Sequence, residues 1–491
     1  MTVNEFNETS LDPKDWEQVR KIGYQMVDDM ILKLQHTRES LSWQAIPERS
    51  LNTYQSPLPK TPSSIESVFN EFKEHIFPYA KGNTHPRFWS WVEGGGTPLG
   101  ALADFMASVM NSNTTIGNHS AMYIDYQVIE WCKEIMNYPS TSSGILVSGG
   151  SLANITALLV AKNSVDVKIK AEGLYALDKK LTLYCSKETH NCIDKAMQVI
   201  GIGYNQLRKI PVNEAFQIDI EKLLKSIQED KANGYQPFCI VGNAGTVNTG
   251  AIDDLDALYE ISQQEKMWFH VDGAFGALAK LVPEYTDRLK AIEKADSIAF
   301  DLHKWMYINY EVGCVLIKNR ELHRQAFTAP GAYLTAHERG LASGPEPIAN
   351  YGMELSRGFK ALKVWMSLKE HGIDRYAKQI AQNIDQARYM GEECAQYPRL
   401  ELMTAVTLNV TCLRYNPGHL SQSQLNEINK EILMRLQERG IASPSYTVLN
   451  GDYMIRAAIT NHRTRREDID ITLRSISEIG DEIIKKQGID R

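Results

Sequence analysis

Short apolar runs bounded by glycine or polar residues recur through the middle of the chain: ILVS from Ile145, LTLYCS from Leu181, FCIVGNAG from Phe238, MWFHVDGAFG from Met267 and SIAF from Ser297. Between them apolar residues return at the helical period, from Ser151, near Ile193 and near Leu255. Strands alternating with helices predict an α/β domain built on a largely parallel sheet. The first 80 or so residues read differently, as a helical arm. Asp12 and Pro13 suit an N-cap and first helical position, and Val19, Ile22, Met26, Val27, Met30, Ile31 and Leu34 follow at helical spacing. The proline-rich link Ser56 to Ser64 separates this helix from a second, Ile65 to Ile76. Beyond Gly372 the pattern changes again. An alternating run from Leu402 to Leu413 predicts a strand, Leu425 to Leu436 a helix and Tyr453 to Ile459 a strand. Thr464 to Glu467 reads as a capping box opening the last helix. The expected organisation is an N-terminal arm (1–84), a large domain (85–372) and a smaller C-terminal α/β domain (373–491).

With 491 residues, the chain exceeds what one core usually fills, which agrees with that division. A net charge of -7 with no basic face argues against nucleic acid as a partner. No run approaches the roughly 20 apolar residues of a membrane span, and MTVNEFNETSLD lacks the order of a signal peptide. A cytoplasmic protein is expected. The seven cysteines contain no C-x-x-C pair, so reduced thiols are expected rather than disulfides or a metal site.

In a parallel sheet, ligands collect at the carboxyl ends of the strands. Five predicted strand ends carry informative residues: Ser148 to Ser151, His190, Gly245 with Thr246, Asp272, and Lys304. Ser148-Gly149-Gly150-Ser151 places glycine N–H groups and a hydroxyl at a helix N-terminus, which suits a phosphate or simply a serine N-cap. It lacks the Walker lysine, the G-x-G-x-x-G of dinucleotide folds and the G-x-S-x-G of hydrolase elbows. Asp272 ends an apolar strand and is followed by small residues that leave room for a flat ring; a protonated heteroaromatic nitrogen would be a fitting partner. Lys304 lies between His303 and Trp305, where loss of solvation is expected to lower its pKa and make it a nucleophile toward an aldehyde. A phosphate cradle, a carboxylate and a lysine in this order form a constellation for pyridoxal phosphate. Upstream, HPRFWSWVEGGGTPLG from His85 brings Phe88, Trp89 and Trp91 close together. Strand residues alternate faces, so at least one ring is core while others wall a pocket.

SGGSLAN, the isolated His190, NAGT, HVDGAFG, DLHKW and SRGFKALKVW carry a specific likeness. The chain resembles the group II pyridoxal-phosphate decarboxylases, which include aromatic L-amino acid, glutamate and histidine decarboxylases. That resemblance implies fold type I, a homodimer, and loss of carbon dioxide from an amino acid to leave an amine. It implies that Lys304 bonds to the cofactor's aldehyde carbon, that Asp272 holds the ring-nitrogen proton and that His190 stacks on the ring. Gly150, Ser151 and His303 would bind the phosphate, Thr246 would lie near the ring hydroxyl, and Ala274 would pack beneath the ring. Arg357 and Arg456 match arginines near the site. Tyr333, in the aperiodic stretch Thr328 to Gly352, matches a loop tyrosine that returns a proton to the substrate carbon; aldehyde-forming members carry Phe there. Departures are Asp301 and Leu302, where the animal aromatic enzymes carry Asn and Pro, and Gly94, where they carry Thr. An aspartate beside a phosphate is repulsive unless it faces away. Phe88, Trp89 and Trp91 favour an aromatic substrate, with Phe88 and Trp91 the candidate contacts, whereas Arg87 could pair with an acidic one such as glutamate. Decarboxylation linked to oxidative deamination is the other alternative.

Overall fold

The computed structural model describes residues 9–328 and 337–488. In chain order the strands are β1 (Phe88–Trp89), β2 (Ser143–Val147), β3 (Leu181–Ser186), β4 (Leu207–Ile210), β5 (Gln236–Asn243), β6 (Trp268–Asp272), β7 (Ser297–Asp301), β8 (Gly313–Ile317), β9 (Leu400–Leu402), β10 (Val410–Tyr415), β11 (Ser443–Leu449) and β12 (Asp452–Ala458). Seven of them form the large sheet, ordered β2-β8-β7-β6-β5-β3-β4. The pairs from β4 through β7 are parallel, while β8 runs antiparallel to both β7 and β2. Every strand of this sheet except β8 therefore points the same way, and their carboxyl ends share one rim. The apolar runs are buried on both faces, as a sheet covered by helices requires. The helix Gly150–Val165 crosses one face over β7 and β8.

The remaining strands form a second sheet, ordered β1-β11-β12-β10-β9. Phe88 and Trp89 thus pair, in parallel, with Ser443 and Pro444 of the C-terminal region rather than with the large sheet. Trp89 is fully buried in the core beneath this sheet, and its indole N–H donates to Thr464 Oγ1 at 3.1 Å. The helix Ile373–Cys394 joins the two cores: Tyr376, Ile380 and Ile384 enter the first, Ala387, Met390 and Cys394 the second.

Several local expectations shift. The first helix, Trp16–Gln35, is capped by Asp15, whose carboxylate accepts from the N–H groups of Glu17 and Gln18; Asp12 and Pro13 lie ahead of it. The run Leu402 to Leu413 is not one strand but β9 and β10, an antiparallel pair joined by a connection whose Leu408 drops into the larger core. The last helix, Arg466–Gln487, begins with Arg465 as N-cap, and the carboxylate that returns to the cap N–H is that of Asp468 at 2.8 Å. Asp468 wins this position over Glu467 because it is also the buried partner of two cations. Arg38 donates to both its oxygens at 2.8 Å, and Arg87 reaches it at 3.3 Å. That cluster fastens the N-terminal arm to the final helix. All seven cysteines are free thiols and buried. No helix among the described residues is long and apolar enough to cross a membrane.

Candidate active site

The shared rim of the large sheet opens into a cavity of about 480 Å³. Ser148, Gly150 and Ser151 follow β2, His190 follows β3, Thr246 follows β5, Asp272 ends β6 with Ala274 just beyond, and His303 and Lys304 follow β7; all line it. Trp91, Val92 and Glu93 close one side, with Phe275, Tyr310 and Glu311. The five strand ends singled out in the sequence therefore meet at one place.

Not every candidate does. Phe88 is buried and lies off the cavity wall, so Trp91 is the ring of that triplet that faces it. The reason is strand alternation combined with the β1–β11 pairing, which commits Phe88 and Trp89 to the protein interior. Arg87 is turned away as well: its Nε donates to Ile441 O at 2.6 Å and its Nη1 to Asp468, so it cannot meet an acidic substrate. Arg357 is buried away from the cavity wall, with its guanidinium 3.6 Å from Asp125 and bonded to Thr114 O and Leu146 O. Arg456 is buried behind the wall, donating to Trp91 O, Asn248 O and Ser445 Oγ. Its Nη2 has no partner and burial lowers its pKa to about 10. Tyr333 lies outside the described residues.

Lys304 departs from expectation electrostatically. Burial pulls its pKa down, but the Asp301 carboxylate, 2.8 Å from its Nζ, and Asp272 beyond it more than offset that, and the pKa stands above the ordinary lysine value. Without ligand, Lys304 is an ammonium rather than a nucleophile. Asp301 does not face away from the phosphate cradle. It is buried, with one oxygen on Lys304, the other without a hydrogen-bond partner, and its carboxylate against Gly149 and Gly150. A Cβ on Gly150 would come within 3.0 Å of Asp301 Oδ2 and 3.1 Å of the Ala274 methyl. One on Gly313 would fall 2.6 Å from Asp301 Oδ1. Gly94 is constrained in the same way: a side chain there would meet the carbonyl oxygens of His303 and Lys304 at 2.4 Å. The absence of Thr at 94 follows from how closely this loop rides over the lysine.

The remaining groups are arranged for a phosphorylated, ring-bearing ligand. The helix Gly150–Val165 begins without a side-chain cap, leaving its first-turn N–H groups to an anion beside the Ser151 hydroxyl. His303 engages Val312 O through Nδ1 at 2.9 Å, which turns Nε2 toward Asp301, 3.8 Å away. Thr246 is buried and bonded to Thr249 Oγ1, holding its turn at the rim. His190 stands open to the cavity, its Nδ1 accepting from Cys192 N at 3.2 Å. Desolvation and the nearby lysines lower its pKa against the pull of Asp272, so it is a neutral ring at neutral pH. Burial raises the pKa of Asp272, against the Ala274 N–H on Oδ1 and the charge of Lys304. A buried carboxyl of raised pKa, a lysine, a neutral imidazole and an uncapped helix start are a donor set that fits pyridoxal phosphate. Sequence reasoning missed Cys192, Glu93, Tyr310 and Glu311. Cys192, two residues beyond His190, and Tyr310, five beyond Trp305, offered only proximity as a signal.

Comparison with known proteins agrees with this geometry. A family model described as the pyridoxal-dependent decarboxylase conserved domain matches residues 47–416. The chain is 33% identical to an aromatic-L-amino-acid decarboxylase of Bacillus atrophaeus over 95% of this chain and 96% of that one. It is 28% identical to a phenylacetaldehyde synthase of Petunia hybrida, over 94% and 93%. Among solved structures, Oryza sativa TDC with PLP and tryptamine superimposes with a TM-score of 0.87 at 20% identity, covering 96% of this chain and all of that one. Mouse CSAD superimposes at 0.88 and 22% identity, covering 94% and 98%. These likenesses carry the type I fold expected from the sequence. The chain is a pyridoxal-phosphate-dependent enzyme and belongs to the pyridoxal-dependent decarboxylase family.

Proposed function

We propose that the enzyme decarboxylates an aromatic L-amino acid to its amine. The observation that carries this is the wall of the cavity. Its cation is Lys304, with the imidazoles of His303 and His190 beside it, all needed by the cofactor, while the wall beyond them presents Trp91, Val92, Phe275 and Tyr310 together with the carboxylates Glu93 and Glu311. An aromatic side chain gains about 2 kcal/mol by leaving water against such rings. An acidic one finds no arginine on the wall, since Arg87 is committed elsewhere, and the lysines nearest the wall, Lys81 and Lys360, are already paired with Glu93 and Glu311. The Bacillus relative and a Catharanthus roseus tryptophan decarboxylase solved with L-tryptophan support the same class.

When bound, pyridoxal phosphate supplies an electron sink for the carbon that loses carbon dioxide. In this reading Lys304 Nζ would hold the cofactor's aldehyde carbon and Asp272 would keep a proton on its ring nitrogen, a fixed charge where electrons accumulate. His190 would cover one ring face and Ala274 would pack against the other. Gly150, Ser151 and His303 would hold the phosphate, with Thr246 near the ring hydroxyl. Arg456, donating to Trp91 O from behind, fixes the backbone of the wall that the substrate side chain meets. Tyr333 returns the proton that yields an amine.

The active unit is proposed to be a homodimer. The first helix leaves Tyr24, Met26, Ile31 and Leu32 exposed, and the helix Pro98–Met110 exposes Phe105, Met106, Val109 and Met110. Apolar faces of this extent are covered by partners, and a two-fold pair is the commonest solution. Light scattering should give twice the chain mass; a fully active monomer refutes the pairing.

Specificity constants across phenylalanine, tyrosine, tryptophan, histidine and glutamate test the substrate class. An aromatic acid should exceed glutamate by roughly a hundredfold, and a preference for glutamate overturns the reading. Lys304 sets a pH dependence. Its raised pKa makes the reactive amine scarce at neutral pH, so cofactor uptake by the stripped enzyme should speed up as pH rises toward that pKa. Asp301→Asn removes the largest raising influence while burial remains, so the profile should shift to lower pH, with uptake at neutral pH roughly tenfold faster. Superimposable profiles would show that Asp301 does not govern the lysine. Replacing Tyr333 by Phe should keep carbon dioxide release while diverting product under air from amine to aldehyde, ammonia and peroxide. Undiminished amine formation would assign the proton to another acid.

A further inference from the structure

Strand β6 reads Trp268, Phe269, His270, Val271, Asp272. Alternation puts Trp268, His270 and Asp272 on one face, beneath the helix Gly150–Val165. Along that face runs an unbroken line of polar contacts. Trp268 Nε1 donates to Ser297 Oγ at 2.7 Å, and Ser297, opposite His270 on β7, lies 2.8 Å from His270 Nδ1. His270 Nε2 is 2.7 Å from Asn154 Oδ1. Asn154 Nδ2 donates to Cys192 Sγ at 3.2 Å, and Cys192 Sγ lies 3.9 Å from Asp272 Oδ2, a long contact of the kind sulfur makes. Ser297, His270 and Asn154 have no solvent exposure, and Cys192 is buried with them.

The direction of this line follows from what each group can do. An indole N–H only donates, so Ser297 accepts from Trp268 and has its own proton free for His270 Nδ1. His270 then carries its proton on Nε2 and gives it to Asn154 Oδ1, which leaves the Asn154 amide to point at Cys192. Burial pushes the Cys192 thiol up to about 12, so it keeps its proton, and it pushes His270 down to about 3, so the ring stays neutral. In the opposite direction Cys192 would donate to Asn154 and His270 to Ser297. Ser297 would then accept twice, its own proton would have no partner on this line, and Asp272 Oδ2 would lose its donor.

We propose that Trp268, Ser297, His270, Asn154 and Cys192 form a one-way hydrogen-bond relay that ends on Asp272 and holds its carboxylate ionised and oriented for the cofactor's ring nitrogen. Every dipole in it turns its positive end toward Asp272, and such chains polarise one another in a dry interior. The residues of the relay are positioning residues, acting through Asp272. The proposal rests on Asp272 being the ring-nitrogen partner, but its hydrogen pattern can be read without that assumption.

Neutron diffraction from the deuterated holoenzyme should place a deuteron on His270 Nε2, none on Nδ1, and the Asn154 amide nitrogen toward Cys192. A deuteron on Nδ1 reverses the line and overturns the relay. Cofactor dissociation constants supply the second arm. Cys192→Ala should weaken retention roughly fivefold, about the loss of one hydrogen bond, and change the absorbance of the bound cofactor. Cys192→Ser, of nearly the same size but still a donor, should stay close to the parent in both. Equal losses in the two variants would reduce Cys192 to a packing residue and overturn its place in the relay. Asp272→Asn tests the underlying assignment separately: unchanged cofactor retention would refute Asp272 as the ring partner, leaving the neutron result to stand on its own.

Discussion

Six strands of the large sheet run in one direction, and that constraint places everything else. It brings to one rim a helix start, a neutral imidazole, a threonine turn, a carboxyl group and a lysine that lie far apart in the chain. The reversed strand β8 completes the arrangement. Because it returns antiparallel to β7, the loop between them carries Lys304 and Tyr310 over the rim and lays Gly313 against Gly149. The backbone packs so tightly there that Gly150 and Gly313 leave no room for a methyl group beside Asp301.

Within that rim the charges are balanced by proximity rather than by solvent. Asp272 and Asp301 are both buried, and Lys304 lies between their fields. Removing water strengthens the attraction and the repulsion alike. The lysine is therefore held charged until a ligand takes it, and Asp301 serves as its resting partner. The placement of an acid beside an anion cradle makes sense only because the cation is already paired with it.

The site was legible because buried parallel strands are written as continuous apolar runs, and the residue ending each run lands at the rim whatever the loop beyond does. Ser151, His190, Thr246, Asp272 and Lys304 are all of this kind. What the sequence hid depended on partners remote in the chain. Nothing local shows that Phe88 and Trp89 join the C-terminal sheet, that Arg87 is taken by Asp468, or that the Lys304 pKa rises rather than falls because Asp301 turns inward. Helix starts slipped by a few residues for a related reason. Asp15 and Asp468 win their capping positions through contacts that Asp12 and Glu467 lack, and in the second case those contacts are two arginines from the other end of the chain.

The same long-distance joins bear on how the protein is made. Ser90 is bonded across β1 and β11 to a carbonyl 353 positions later, and Arg38 finds Asp468 after 430. A ribosome releases the chain from its N-terminus. The large sheet has all its strands once Ile317 has emerged, but Trp89 and the arm must wait for nearly the whole remaining length of translation. Throughout that interval the Trp89 indole has no partner strand, and the larger core itself still lacks Tyr376, Ile380 and Leu408. The small sheet cannot close before β12 has emerged, so a product truncated ahead of it would lack both the strand that joins Trp89's β1–β11 pair to the rest of that sheet and the Arg456 that anchors Trp91.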